Sequence, residues 1–168
     1  MKILAIDPGN MESAYVMMND DYTIHDRHFY KSQNDTILKA IQDYADIFGQ
    51  DMIVVIEMVA SYGMAVGKEV FETCVWIGRF AQAAIDKGCR VDRVYRMDEK
   101  MALCHNSRAK DTNIRQALID RFARFDKKNG KGTKTRPDVF YGFSRDVWAA
   151  YSVGVTWLDT IKSVSQDG

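Results

Sequence analysis

Residues 1–10 read MKILAIDPGN. Residues 2–6 form an apolar run of strand length that stops at a carboxylate, Asp7, followed by the turn-formers Pro8 and Gly9. A run that is apolar on both faces belongs at the centre of a sheet covered on both sides. The aspartate that ends it is either an Asp-Pro-Gly turn residue or an oxygen ligand for something charged. The pattern returns once: MIVVIEM, residues 52–58, is a second fully apolar strand that runs into Glu57.

Working outward from residue 10, ESAYVMMN (12–19) and YTIHDRHFY (22–30) follow as strands joined by short turns, which predicts an antiparallel meander with the first strand central. NDTILKAIQDYADIF (34–48) places Ile37, Leu38, Ile41, Tyr44, Ala45 and Phe48 at helical spacing and stops at Gly49. After the Glu57 strand, the loop VASYGMAVG (59–67) leads to a long helix over 68–88, closed by Gly88. RVDRVYRM (90–97) is a short strand. DTNIRQALIDRFARF (111–125) is a helix with an Asp or Thr cap, and residues 144–163 form a last helix begun by Ser144. Between these two helices, DKKNGKGTKTRPD (126–138) is rich in Lys and Gly and is expected to be a mobile basic loop. The order predicts one α/β domain over residues 1–168, a mixed sheet with helices packed on it.

Basic and acidic residues balance at 23 each, so no global field draws the chain to nucleic acid or to an anionic membrane. Any such affinity has to come from a local patch. Cys74, Cys89 and Cys104 are odd in number and lack CxxC spacing, which argues against a disulfide framework or a zinc knuckle and fits a reducing cytoplasm. The N-terminal apolar run is too short for a secretory or membrane-spanning segment, so no membrane partner is expected.

Sheets with helical crossovers gather their binding sites at the carboxyl ends of their strands, where Asp7 and Glu57 both fall. If the two strands are parallel neighbours, the carboxylates meet, and such a pair persists when a cation offsets the repulsion or one group keeps its proton. Magnesium suits these oxygens because it takes one to three carboxylates and keeps its other positions for water or phosphate. A third acid, Asp146, lies in the first turn of the last helix, where an acid alone is usually a partner of the helix dipole. The three together shift the reading toward a metal site.

ILAIDPG, VVIE, KDTNIRQALIDRF and RDVWAAYSVGVTW, in that order, resemble the RuvC-type Holliday-junction resolvases of the RNase H-like nuclease superfamily. The wording of residues 56–80 looks like the small resolvase-like proteins of bacteriophages. The resemblance implies an RNase H-like sheet of three antiparallel strands followed by parallel ones, and a homodimer that nicks branched DNA symmetrically. It makes Asp7, Glu57 and Asp146 catalytic ligands of Mg2+, with Mn2+ as an alternative. Two such ions, on the order of 4 Å apart, activate a water and stabilise the leaving oxygen.

The chain departs from the family in one respect. Two acids three residues apart are usual on the last helix, but Ala149 or Phe143, depending on register, stands where the second should be. Asp138, Glu69 and Glu72 are the substitutes within reach by sequence.

For DNA contact, Tyr62 in the loop after Glu57 offers a face that stacks on a base, beside Lys68. Arg108, Lys110 and Arg115 lead into the helix at 111, whose free amides and basic side chains suit a phosphate. Lys131 and Lys134 extend the positive patch. Three other readings stand beside the junction nuclease: a catalytically weak or inactive DNA binder on the same scaffold, a flap or RNA nuclease, and an ATP-binding actin-like module. The last needs two lobes, and this chain has room for one.

Overall fold

The computed structural model describes residues 1–27 and 30–166. Its sheet runs in the order β3-β2-β1-β5-β6. β1 (Lys2–Asp7), β2 (Glu12–Asn19) and β3 (Ile24–Arg27) form the antiparallel meander, and β5 (Met52–Met58) and β6 (Arg90–Tyr95) add in parallel to β1. A two-residue strand, β4 (Ser32–Gln33), pairs with the start of β2 and was not anticipated. The third strand is shorter than the expected span of 22–30, of which residues 28 and 29 lie outside the described residues.

β1 is central, as its two apolar faces require, with Ile3 to Ile6 wholly buried. Ile3 and Ala5 point into a layer built with α4 (Asp111–Phe122) and α5 (Arg145–Gln166); Leu4 and Ile6 point into the opposite layer, formed with α1 (Asn34–Phe48) and α2 (Lys68–Asp86). The result is a helix–sheet–helix sandwich. α5 lies closest to the sheet. At Gly154 a side chain would meet Met18 Sδ at 2.3 Å and Ala5 Cβ at 3.0 Å, so the absent Cβ is what lets the helix seat on β1 and β2.

A further helix, α3 (Arg96–Cys104), was not anticipated. RMDEKMALC is nine residues long, too short for a helical period to announce itself. It starts where Asp98 accepts the Tyr95 backbone N–H at 2.9 Å. The cap of α4 also differs from expectation. Lys110 occupies the cap position, Asp111 is already helical, and Asn113 Oδ1 reaches back to accept the Lys110 N–H at 2.9 Å. Ser144 enters α5 through its carbonyl, which accepts the Trp148 N–H, while its hydroxyl has no partner.

Residues 126–138 correct the expectation of a mobile loop. The buried Asp138 carboxylate accepts the backbone N–H groups of Arg124, Phe125, Asp126 and Val139 at 2.8–3.0 Å. Asp126 accepts those of Asn129, Lys131 and Gly132. Two carboxylates thus replace the hydrophobic anchors that the segment lacks.

Spacing alone predicts Val70, Cys74, Ile77 and Ala81 as the exposed apolar stripe of α2, and the structure corrects the face. Ile77 and Ala81 are buried against the sheet, and the outward stripe is Phe71 and Val75, each 62% exposed, continuing through Gly78. Among the described residues no helix is long and apolar enough to cross a membrane.

Candidate active site

β1 and β5 are parallel neighbours with Ile6 opposite Ile56, so the next residues, Asp7 and Glu57, stand side by side where both strands leave the sheet. The turn after Asp7 is held rigidly. Gly9 has no room for a Cβ, which would lie 2.3 Å from the Glu12 carbonyl oxygen. Its N–H donates to Ser13 Oγ at 3.0 Å, and its carbonyl accepts from Asn34 Nδ2 at 2.9 Å. Ser13 in turn donates to Asn34 Oδ1, and both side chains are buried. DPGN is therefore both turn and site: the network fixes the backbone, and the fixed backbone aims Asp7.

Asp7, Glu57 and Asp146 line one cavity of about 790 Å³. Asp146 comes from the first turn of α5 and is paired with Lys31 Nζ at 3.3 Å. Among the described residues no three acidic, His or Cys side chains are close enough to form a ready-made metal cage. The three acids share the cavity with cations instead: Lys31, Arg96, Arg115 and Arg145 also line it.

The electrostatics are those of crowded carboxylates. Burial, then repulsion from Glu57 and Asp146, pushes Asp7 up to about 8, against the pull of Lys31 and Arg96. Burial and then the charge of Glu99 push Glu57 up to about 7, although a hydrogen bond shared with Asp7 acts the other way. Glu99 on α3 is raised to about 7, again chiefly by burial, with Arg96 opposing. These are groups that hold a proton, or a cation, in the neutral range.

A stability prediction follows. In the cation-free protein these acids keep protons that the unfolded chain has released above its ordinary carboxylate range, so the folded state binds more protons and stability falls as pH rises toward 8. One net proton amounts to about 1.4 kcal/mol per pH unit. For a domain of this size that is about 4 °C of melting midpoint. We expect scanning calorimetry in EDTA to show a lower midpoint at pH 8 than at pH 5, and Mg2+ to raise it more at pH 8. A midpoint that climbs steadily from pH 5 to pH 8 in EDTA contradicts the crowding.

Ala149 lines the cavity, whereas Phe143 is buried in an aromatic cluster with Phe140, Trp148 and Tyr151. Of the two positions at which the resemblance leads one to expect a further acid, 149 faces the cavity and 143 does not. Asp138 is committed to its backbone amides and is not a substitute. Glu72 is engaged with Lys68 at 3.3 Å, and neither it nor Glu69 lines the cavity.

Of the basic residues singled out in the sequence, Arg115 lines the cavity, its guanidinium 5.0 Å from the centre of the Trp148 ring. Lys131 is close enough to feel the Arg115 charge. Lys110 and Arg108 are exposed at the approach to α4, and Lys134 is exposed on the following loop. Tyr62, 58% exposed and at φ +49°, and Lys68 belong to the β5–α2 segment, outside the cavity lining.

Sequence reasoning missed Lys31, Arg96, Glu99, Asp111 and Arg145. Arg96 joins α3 to α4, donating to Glu99 Oε2 at 2.7 Å and to Asp111 Oδ1 at 2.5 Å, while Arg145 lies 3.5 Å from Asp111 Oδ2. No local periodicity marks these residues, because each gains its meaning from another element.

Fold and site together define an RNase H-like mixed sheet with carboxylates gathered at the ends of its central strands. The chain is similar in structure to RuvC of Thermus thermophilus, at a TM-score of 0.69 and 14% identity over 97% of each chain. It is also similar to T. thermophilus RuvC in complex with Holliday junction substrate, at a TM-score of 0.63 and 16% identity over 93% of this chain and 91% of that one. At such identities the likeness is one of fold. No protein-family model matches the chain, and no curated protein matches it.

Proposed function

We propose that this protein is a divalent-cation-dependent endonuclease that cuts branched DNA, with the four-way junction as its preferred substrate. The observation that carries this reading is the Asp7–Glu57 pair, two carboxyl groups held in repulsion on rigid strand ends and facing Asp146 across one cavity. A protein has little reason to maintain that arrangement unless a cation relieves it. The fold it shares with T. thermophilus RuvC, solved in complex with Holliday junction substrate, supports this choice of substrate class.

Asp7, Glu57 and Asp146 are the residues that would hold Mg2+ or Mn2+; the ion, when bound, polarises the scissile phosphate and lowers the pKa of attacking water. The chain's own cations do the rest. Arg115 in the cavity lining and Lys131 near it, with Lys110 and Arg108 at the start of α4, bind phosphates on either side of the cut. Lys31 keeps Asp146 in place until the substrate arrives. Tyr62 and Lys68, farther along the same edge of the sheet, contact the branch point. A homodimer would form through the Phe71–Val75–Gly78 stripe of α2, where the exposed glycine permits close approach of a second helix. A cytoplasmic role in DNA recombination or repair fits this chemistry.

The test is a gel on which labelled four-way junction, flap and linear duplex are each incubated with the protein and Mg2+. We expect nicks near the branch point of the junction and little cutting of duplex. Retardation without nicking supports a DNA binder instead, and preferential flap cutting moves the substrate assignment.

A further inference from the structure

The site described above has Ala149 on the α5 surface that faces it, and a buried carboxylate beside it leaves one oxygen without a partner. Glu99 is fully buried on α3. Its Oε2 is held twice, by Arg96 Nη1 at 2.7 Å and by the Ser152 hydroxyl, while its Oε1 has no hydrogen-bond partner. A charged oxygen withdrawn from water is normally satisfied, so an unpartnered one points to an absent group. Ser152 and Ala149 lie one turn apart on α5, both line the cavity, and the Ser152 hydroxyl also bonds the Ala149 carbonyl at 2.8 Å. Glu99 does not itself line the cavity, but through Ser152 it touches, from α3, the stretch of α5 that does. The carboxylate lies close enough to interact with both Asp7 and Glu57.

We propose that Glu99 supplies the fourth carboxylate of the cation site, with the free Oε1 as the ligating atom and Arg96 and Ser152 as the groups that hold the other oxygen. This rests on the cation-dependent reading of the cavity. The arrangement has the form expected of a ligating carboxylate, whose second oxygen is fixed by outer partners. Arg96 is in turn fixed by Asp111, so the clamp extends from α4 through α3 to α5. The acid is displaced from one helix to its neighbour.

The experiment measures Mn2+ binding to the whole protein, without DNA, by the loss of the free-ion electron paramagnetic resonance signal. Glu99→Gln is expected to weaken binding about tenfold or more, and Ala149→Asp added to it is expected to recover most of the loss. Wild-type Mn2+ affinity in Glu99→Gln, with binding lost in Asp7→Asn, overturns the role of Glu99 and leaves the cavity reading standing. Wild-type affinity in both variants removes the cavity reading and this proposal with it. If Glu99→Gln does not fold, the unaltered chain answers the question. It has five glutamates, Glu12, Glu57, Glu69, Glu72 and Glu99, whose labelled carboxyl carbons are resolved by NMR. Mg2+ is expected to move two signals, those of Glu57 and Glu99, and movement of the Glu57 signal alone overturns the proposal.

Discussion

Replacing Asp7 by Asn is expected to lower junction cleavage by about 10³-fold or more, a loss of about 4 kcal/mol in transition-state stabilisation, while junction binding in a retardation assay stays within about threefold. The change is nearly isosteric, so the Gly9–Ser13–Asn34 network that fixes the turn remains intact. What it removes is one charge of the Asp7–Glu57 pair, the feature of the cavity that calls for a cation. In the proposed function, phosphate contacts by Arg115, Lys131 and Lys110 lie outside the substitution and carry the binding. Glu57 should then lose part of its repulsion, and the stability of the cation-free variant should depend less on pH than that of the unaltered chain. Cleavage by Asp7→Asn at the wild-type rate would remove the residue from the catalytic site.

The second large effect is structural. Asp138→Ala is expected to destabilise the protein by about 3–5 kcal/mol, because four backbone donors lose a charged acceptor at once and at least part of that set is left buried without a partner. For a chain of this length that is a fall of about 10 °C in the melting midpoint. The loop should respond before the rest of the fold. Residues 126–138 carry five lysines and arginines, Lys127, Lys128, Lys131, Lys134 and Arg136, so limited tryptic digestion of the native variant should cut there much faster than in the unaltered protein. Asp138→Asn keeps one acceptor oxygen and should lie between the two. Equal stability and equal digestion in Asp138→Ala would show that the loop is held elsewhere, for example by Phe140 packed on Trp148 with ring centres 4.3 Å apart. The carboxyl of Asp138 is held far below its ordinary range because its backbone donors outweigh burial, which acts in the opposite sense. Its contribution is present above the unfolded aspartate value and is lost only in strong acid, opposite in sign to that of the cavity acids.

The pair of apolar strands illustrates which features a sequence carries openly. Ile3 to Ile6 and Met52 to Ile56 are buried on both faces, and a strand so placed has to be written in apolar residues throughout. Asp7 and Glu57 interrupt those runs, and the interruption makes them visible. The helices α1, α2 and α5 are legible for a related reason, since each buries a face long enough to set up a period. α3 is too short to repeat such a period, and it is held by capping and by the buried Glu99. Glu99 was accordingly passed over, while Asp138, with a more conspicuous position beside a basic loop, looked like a candidate ligand and proved to be a loop anchor.

By itself, then, the sequence determined the layered α/β architecture, the central place of β1 and the acids that end its two apolar strands, because burial imposes a pattern on consecutive residues. Only the tertiary structure decided that Lys31 and Arg96 line the same cavity as the acids, that Glu99 is buried against Arg96 and Ser152 beside it, that Ala149 faces it and that residues 126–138 are tied down. Those outcomes depend on side chains from separate elements meeting in space, and electrostatic and hydrogen-bond partnerships of that kind leave no periodic trace along the chain.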